Sequence, residues 1–253
     1  DFMLGVRFVD GQGTVIKNGG RVMKNVTGYD LVKLLSGSWG TLGVLSEVSL
    51  KVLPKPDSAA TLVFQGLDAA QAVMVMSRAL GSPFEITGAA HDPQAGQTLL
   101  RIEGFEKSVT YRADQLKTLF KGHDIAVEAD PARVVQIWAG IRDVAPLQDG
   151  AGDVWRVSVK PSDAPEVAAR LDAGALLFDW GGGLIWARVP EGTDLRARIG
   201  AVKGHATLVR GSAASRAALP VFQPEPAPLA RLTDGLRKRF DPRGILNPGL
   251  MAG

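Results

Sequence analysis

The stretch KNVTGYDLVKLLSGSWGTLG, residues 24–43, places four glycines on either side of a short apolar helix pattern. Glycines clustered in this way serve tight turns, or they let the backbone approach a bulky group because they carry no Cβ atom. Backbone N–H groups and hydroxyls in such a loop can donate hydrogen bonds to phosphate or to ring acceptors. The alternative is a glycine-rich turn that only packs its apolar neighbours. The residues in question are Gly37, Ser38, Gly40, Thr41, Gly43 and Val44.

Outside this loop the sequence offers few residues for catalysis or metal binding. The chain contains no cysteine, which excludes a disulfide framework, a thiolate nucleophile and iron–sulfur ligation by this chain. Its histidines, His91, His123 and His205, are far apart and form no HxxxH or HxH pair, so we expect solvated loop histidines and no metal site. A net charge of +3 without a run of basic residues argues against a nucleic-acid partner. No apolar run is long enough for a membrane span.

The loop belongs to a segment, residues 1–56, that resembles half of a domain. Alternating apolar residues from Leu4 to Phe8, a tight turn at 10–13 and the residues 14–16 predict a hairpin. The apolar residues of 42–53 predict another, buried strand. Asp30 is placed to cap the helix that follows it. For Tyr29 a buried structural role is expected rather than a place near a cofactor, and Lys24 and Asn25 suit either a flavin contact or an exposed turn.

Residues 57–219 contain a repeated succession of strands and helices. Each half reads βαββαβ, which predicts two ferredoxin-like units that share one sheet with helices on one side. Gly181 to Gly183 form the predicted hairpin turn, and Trp155, Trp180 and Trp186 are expected in the core. The predicted strands are 61–65, 85–90, 98–103, 125–128, 155–160, 176–180, 184–189 and 207–210, and the predicted helices are 68–80, 108–121, 131–142, 164–171 and 194–201.

The last segment, residues 220–253, begins with a proline-broken linker. A helix is predicted over 229–240, with basic residues on a solvated face. The loop RGILNPG follows this helix. Its apolar residues Ile245 and Leu246 predict that the loop packs against an apolar surface of the first segment, beside 42–53.

These motifs carry a resemblance to a known family. KNVTGYDLVKLLSGSWGTLGVLSEVSLKVLP and the terminal FDPRGILNPG resemble the flavoproteins of the vanillyl-alcohol oxidase and para-cresol methylhydroxylase family, in its D-2-hydroxyacid dehydrogenase branch. The stretch DWGGGLIW narrows the resemblance to the smaller flavin-domain subunits of bacterial glycolate oxidases. The resemblance implies an α+β fold in which 1–56 is the C-terminal half of a PCMH-type FAD-binding domain. It makes 57–219 a cap of two tandem ferredoxin-like βαββαβ units, and 220–253 a linker, helix and tail that return to the FAD domain.

The resemblance also implies a cofactor and a reaction. In this family the loop matching Gly37 to Val44 runs along the adenosine diphosphate part of FAD, and the amide of Asn247 can donate toward the edge of the flavin ring. Hydride passes from the 2-carbon of glycolate to the flavin and gives glyoxylate. The implied partners are a second flavoprotein subunit and an iron–sulfur subunit, and the expected location is the cytoplasm, either free or peripheral at the inner membrane through those subunits.

Two departures from the family pattern limit these expectations. The main pyrophosphate-binding loop of the family precedes the position at which this sequence starts, and residues 1–23 do not supply it. We therefore expect that the chain alone does not retain FAD. Either it is a fragment that lacks the first half of its flavin domain, or it is a subunit that needs a partner to hold the cofactor. The cap also lacks the Glu-His pair that binds metal in the branch, so no catalytic residue is assigned. The alternative to an FAD-binding redox subunit is a non-catalytic assembly subunit with the same fold. A third interpretation, an unrelated small-molecule sensor, leaves the ILNPG tail unexplained.

Overall fold

The computed structural model describes residues 2–21 and 28–250 of the chain. The chain divides into two compact units, of which the first comprises Asp1–Pro54 with Pro224–Gly253 and the second comprises Lys55–Gln223. Lys24 and Asn25, which were predicted to contact flavin or to form an exposed turn, lie outside the described residues.

The first unit is built on a small antiparallel sheet. Strand β1 (Met3–Val9) lies between β2 (Val15–Gly19) and β3 (Val44–Leu50). Helix α1 (Leu31–Leu35) packs on β1 and β2. The side chain of Asp30 caps α1 by accepting a hydrogen bond from the backbone N–H of Lys33 at 3.1 Å, which confirms the predicted cap. This bond also holds the pKa of Asp30 below its ordinary value.

The core of the first unit is small. Val6 and Phe8 of β1 pack against Val32 and Leu35 of α1, and Leu42 completes the buried cluster. The ring of Phe240, at the end of the C-terminal helix, lies 6.1 Å from the ring of Phe8. The two ends of this unit's sequence therefore share one core, so each depends on the other for its burial.

Two expectations for the first unit are wrong. The strand over 42–53 was predicted to be buried, but Val48 is 46% exposed and its apolar neighbours on β3 are exposed too. The reason is that β3 is an edge strand, while α1 lies over the other two strands. Tyr29 was expected to be buried and is 89% exposed. Its carbonyl accepts a hydrogen bond from Asn18 Nδ2 at 3.0 Å, and the side chain stays in solvent.

The second unit, which we call the cap, contains eight strands in one antiparallel sheet. Local signals start its helices: Asp68 and Gln71 form a reciprocal capping box, and Asp130 caps a helix whose first residue is Pro131. The elements are β4 (Ser58–Gln65), α2 (Ala69–Leu80), β5 (Ile86–Asp92), β6 (Gln97–Gly104), α3 (Glu106–Leu119), β7 (Ile125–Glu128), α4 (Pro131–Arg142), β8 (Asp153–Val159), α5 (Ala164–Leu171), β9 (Ala175–Asp179), β10 (Leu184–Val189), α6 (Leu195–Ile199), β11 (Gly204–Arg210) and α7 (Ala213–Ala218).

The strand order of the cap is β11-β8-β10-β9-β5-β6-β4-β7. Each half of this sheet therefore has the predicted βαββαβ succession, with its first strand between its third and its last. The halves join where β5 meets β9, and His91 pairs with Phe178 at this seam. The linker that follows the cap leads to α8 (Ala227–Phe240), which belongs to the first unit.

Both faces of the cap sheet are apolar, and helices lie on both of them. The larger core lies under α2, α3, α5 and α6, and it includes Phe64, Trp155 and Phe178. Helix α4 packs on the opposite face, where Trp138 Nε1 donates to Thr61 Oγ1 at 2.9 Å. Gly88 makes room for this packing, because a Cβ there would lie 2.7 Å from the Trp138 ring. The prediction that the helices occupy one side is therefore wrong for α4.

Two aromatic residues of the cap differ from expectation. Trp180 was expected in the core but is 59% exposed, in a short 3-10 helix between β9 and β10. His91 was expected in a solvated loop but is 2% exposed on β5, where its Nδ1 lies 2.9 Å from Thr98 Oγ1. Burial lowers the pKa of His91. Trp155 is buried as predicted.

Within the described residues, none of the helices combines the length and the apolar character that crossing a bilayer requires.

Candidate functional site

The glycine-rich loop after α1 is held together by its own hydrogen bonds. The backbone N–H and the Oγ of Ser38 both donate to the carbonyl of Leu35, at 3.1 and 2.9 Å. The N–H and Oγ1 of Thr41 both donate to the carbonyl of Ser38, at 3.0 and 2.7 Å. Both hydroxyl hydrogens, which were predicted to face a cofactor, are used inside the loop. Donors toward a bound group must therefore come from the backbone.

Three residues of the loop have left-handed backbone conformations. Gly37 has a φ of 85°, Trp39 of 54° and Gly40 of 70°. Glycine adopts such values without strain, whereas an aromatic residue does so only when its surroundings impose it. Among the residues that the structure describes, the N–H groups of Gly37, Gly40 and Gly43 form no hydrogen bond. The loop therefore offers several backbone donors over a short distance.

Gly43 has a different role from the other glycines. A Cβ on Gly43 would lie 2.6 Å from Phe8 Cδ2 and 3.0 Å from the carbonyl oxygen of Val9. The absence of a side chain thus lets the end of the loop pack on β1, immediately before Val44 begins β3. This glycine supports the core of the unit, so substitution here would disturb packing before it disturbed any ligand.

The terminal loop RGILNPG is anchored by a buried carboxylate. Asp241, which is 5% exposed, accepts hydrogen bonds from the N–H of Ile245 at 3.1 Å and from the N–H of Leu246 at 2.7 Å. The N–H of Gly11 donates to the carbonyl of Phe240 at 2.8 Å and ties the same region to the turn after β1. Sequence reasoning treated Asp241 only as the end of a helix. Its position four and five residues before two N–H groups is the signal that could have revealed its role.

Asn247 joins the terminal loop to the glycine-rich loop. Its Nδ2 donates to the carbonyl oxygen of Trp39 at 2.7 Å, and its own φ is 45°. A Cβ on Gly40 would lie 2.9 Å from this Nδ2. The structure therefore brings Asn247 together with the predicted loop residues, and it uses the amide to fasten the two loops.

The two loops enclose an open cleft of about 370 Å³. None of the described side chains that line it is ionisable, so this part of the chain places no group for acid–base catalysis in the cleft. It combines backbone donors with apolar walls, which suits a flat aromatic group with acceptor atoms at its edge. Thr41 lies behind the cleft, buried in the loop. The lining residues are Leu35, Ser38, Gly40, Gly43, Val44, Leu45, Ile245, Leu246 and Asn247.

The part of the chain that the structure describes contains no group of three or more His, Cys, Asp or Glu side chains that could hold a metal ion. In the cap, the ring of His91 lies 5.6 Å from the ring of Phe178 and bonds Thr98. His123 and His205 are exposed, and His205 lies on β11 rather than in a loop. The structure brings none of the three together.

No family model matches the chain, but comparison with curated proteins finds clear relatives. Over 253 residues the chain is 36% identical to glycolate oxidase subunit GlcE of Escherichia coli (strain K12). This alignment covers 99% of the chain and 65% of the relative. It is 42% identical over 72 residues to glycolate oxidase subunit GlcD of Bacillus subtilis (strain 168), covering 28% of the chain and 15% of the relative. It is 40% identical over 63 residues to a D-lactate dehydrogenase of Anaerostipes hadrus, and this alignment covers 25% of the chain and 13% of the relative.

Comparison with solved structures finds the fold of this chain in two other proteins. The chain superimposes on p-cresol methylhydroxylase with substrate bound with a TM-score of 0.64 and 15% identity, over 98% of the chain and 64% of that protein. It superimposes on alkyldihydroxyacetonephosphate synthase with a TM-score of 0.60 and 14% identity, over 98% of the chain and 54% of that protein. The predicted fold class and the predicted resemblance are confirmed. The chain spans 65% of the length of its Escherichia coli relative.

Proposed function

We propose that this chain is the FAD-binding subunit of an oxidoreductase that converts glycolate, a small 2-hydroxy acid, to glyoxylate. The observation that carries the proposal is the similarity to glycolate oxidase subunit GlcE, which extends along 99% of the chain and so includes both units. The relatives that match shorter segments include a D-lactate dehydrogenase, which by its name also acts on a 2-hydroxy acid.

The cleft of the first unit suits a flat ring of the FAD that this proposal requires. Gly40 would hold the cofactor through its backbone N–H group, and Asn247 would lie beside it where the two loops meet. Val44 would meet it through the backbone, and Gly43 would keep that backbone packed on β1. When bound, FAD would supply the hydride acceptor for oxidation of the hydroxy acid at its 2-carbon.

In this proposal the residues of the chain position the cofactor and take no part in the reaction itself. Ser38 and Thr41 fix the loop through bonds to Leu35 and Ser38 carbonyls, so its free N–H groups are held in place before a ligand arrives. Asp241 does the same for the terminal loop. Because no described cationic side chain lines the cleft, we propose that the pyrophosphate of FAD is held by residues outside this sequence, on the same polypeptide or on partner subunits.

Those partners are, in our proposal, a second flavoprotein subunit and an iron–sulfur subunit. The chain has relatives among two differently named subunits of glycolate oxidase, GlcE and GlcD. Since the chain has no cysteine, an iron–sulfur cluster that carries electrons onward would have its thiolate ligands on another subunit.

A non-catalytic assembly subunit remains the second candidate. The observation that favours it is the exposed apolar strand β3, where Val44, Val48 and Leu50 point into solvent in a sheet of only three described strands. Exposed apolar surface of this kind marks an interaction site. The two candidates differ in one respect, because only the first requires flavin on this chain.

The test is to purify the full-length protein alone and in complex with its partner subunits, and to measure flavin absorbance per chain. We expect flavin bound to this chain in the complex, and bleaching of its visible absorbance when glycolate is added without oxygen. A complex that turns over glycolate while this subunit carries no flavin would contradict the proposal and support the assembly role.

A further inference from the structure

The cap contains a cavity of its own, separate from the cleft of the first unit. It has a volume of about 410 Å³ and is lined by residues of α4 and of the strands β4, β6 and β7. A volume of this size is typical of sites for small molecules. We call it the α4 cavity. The proposed function assigns it no role.

Three glutamine side chains line the α4 cavity. Gln65 of β4 lies directly opposite Gln97 of β6 on neighbouring antiparallel strands, so their side chains share one face of the sheet. Gln136 lines the cavity from α4. Among the described residues, none of these three amides has a hydrogen-bond partner. Since an amide has two N–H donors and a carbonyl acceptor, the cavity presents several unused donors and acceptors side by side.

The floor of the α4 cavity is apolar and fixed by packing. Val63 of β4 and Ile137 of α4 pack in the core under this helix. The hydrogen bond from Trp138 Nε1 to Thr61 Oγ1 holds the helix on the sheet. The three amides therefore surround an apolar surface that is already formed before a ligand arrives, which reduces the entropy lost on binding.

The charged side chains in the lining of the α4 cavity compensate each other. Arg133 Nε lies 3.7 Å from a carboxylate oxygen of Glu128, and this carboxylate also accepts the backbone N–H of Asp130 at 2.9 Å. None of the other described lining residues is ionisable. An ionic ligand would have to leave water without gaining an unpaired counter-charge, so the cavity favours an uncharged ligand.

We propose that the α4 cavity binds an uncharged heteroaromatic ring with a donor beside an acceptor on its edge, as in the adenine of a nucleoside or nucleotide. A glutamine amide matches the 6-amino group and N7 of adenine with two parallel hydrogen bonds. Gln65 and Gln97 supply such amides from the sheet and Gln136 from the helix, while the apolar floor takes the face of the ring. The inference goes beyond the proposed function, because the cavity lies entirely within the cap.

The test is calorimetric titration of the full-length protein with adenosine and with purine riboside, which lacks the 6-amino group. We expect adenosine to bind, and purine riboside to bind about tenfold more weakly because one hydrogen bond is lost. Gln97→Leu and Gln136→Leu keep the size of the side chain without the amide, and each should weaken adenosine binding at least about tenfold. Gln136 is exposed on α4, so its replacement leaves the core intact.

The matched control is Gln115→Leu. Gln115 is half-buried like Gln97 and has no hydrogen-bond partner among the described residues, but it lies on α3, over the opposite face of the sheet. Its adenosine affinity should equal that of the wild type, and circular dichroism should show all variants folded. The inference would be overturned by a wild-type protein that does not bind adenosine, by equal binding of adenosine and purine riboside, or by unchanged adenosine affinity in both Gln97→Leu and Gln136→Leu.

Adenine is also part of FAD, so the experiment separates the α4 cavity from the cleft of the first unit. Gly40→Ala alters that cleft and should leave adenosine affinity unchanged, while Gln97→Leu should leave the flavin content of the complex unchanged. Adenosine binding that is lost in Gly40→Ala and kept in Gln97→Leu would place the ligand in the flavin cleft, and the inference would be wrong. Release of a partner subunit by Gln97→Leu at unchanged adenosine affinity would also overturn it, because the cavity would then be a protein contact.

Titration with AMP distinguishes the two sources of the ring. AMP that binds more tightly than adenosine identifies a nucleotide, and AMP that binds more weakly identifies a nucleoside. Either result supports the inference when Gln97→Leu weakens the binding, and either contradicts it when Gln97→Leu has no effect.

Discussion

Gly40 meets two separate constraints at the residue scale. Its φ of 70° is strained for any residue with a side chain, and a Cβ there would press on Asn247 Nδ2 at 2.9 Å. Gly37 has the first constraint without the second, since its φ is 85° and nothing lies within 4 Å of an added Cβ. The pair therefore separates the cost of backbone strain from the cost of displacing the amide.

We predict that Gly40→Ala destabilises the first unit by about 1 kcal/mol more than Gly37→Ala does. Both variants lose about 1 kcal/mol to the left-handed backbone, and Gly40→Ala also loses the Asn247 bond to Trp39, which contributes about 1 kcal/mol. Urea unfolding of each variant measures the difference, and flavin absorbance per chain in the complex should fall further for Gly40→Ala. Equal stability of the two variants would show that the Asn247 contact contributes nothing.

The sequence predicted which residues form this site but not how each one acts. The resemblance to the family identified Gly37 to Val44 and Asn247, and the structure places Ser38, Gly40, Gly43, Val44 and Asn247 around one cleft while Gly37 and Thr41 lie outside its lining. The directions of the Ser38 and Thr41 hydroxyls could not be predicted, because a hydroxyl can bond a ligand or its own backbone with similar energy. The bond between Asn247 and Trp39 joins residues 208 positions apart, and no local pattern encodes such a contact.

At the scale of elements, His91 makes the seam between β5 and β9 sensitive to pH. Burial lowers the pKa of His91 below 6.5 in the folded state, while Asp92 and Asp68 partly oppose the effect. The unfolded chain therefore binds a proton more readily than the folded chain. The contribution of neutral His91 to the free energy of unfolding is present in full above about pH 6.5. It is lost as the pH falls through the lower pKa of the folded state.

We predict that the cap loses stability between pH 7 and pH 5, and that His91→Gln removes part of this loss. Urea unfolding followed by the fluorescence of buried Trp155 reports on the cap. His123→Gln is the control, since His123 is exposed in the turn after α3, and it should retain the acid-dependent loss. Burial raises the pKa of Asp179, so protonation of this residue at lower pH stabilises the folded state and opposes the effect of His91. The contribution of His91 is therefore taken from the difference between the variants and the wild type. Identical pH profiles of wild type and His91→Gln would refute the prediction.

The succession of elements was predictable because each has a local cause. Alternating apolar residues define the strands, and Asp68 and Asp130 mark helix starts. The position of α4 was not predictable, because strands that are apolar on both faces accept a helix on either face. Nor was the exposure of Trp180, since Gly181 and Gly182 allow a turn whose direction depends on packing against α2.

At the scale of the whole molecule, the exposed face of β3 predicts self-association of the isolated chain. Val48 stands opposite the buried Val6 on a strand that, among the described residues, is an edge strand. Its face is apolar, and its backbone has a described partner on one side only. We expect the sedimentation coefficient to rise with protein concentration, and Val48→Lys to suppress the rise. Thr14→Lys adds the same charge in the turn before β2 and should leave it intact. A chain that stays monomeric at all concentrations would contradict this reading of β3.

The division of the first unit between two distant segments has a consequence for synthesis in the cell. Trp39 leaves the ribosome 208 residues before Asn247 does, which at ordinary rates of translation is roughly 10 to 40 s. The cap is complete within that interval, while the glycine-rich loop still waits for the residues that close its cleft. A nascent chain therefore carries a finished cap before the residues that close the cleft of the first unit have been synthesised.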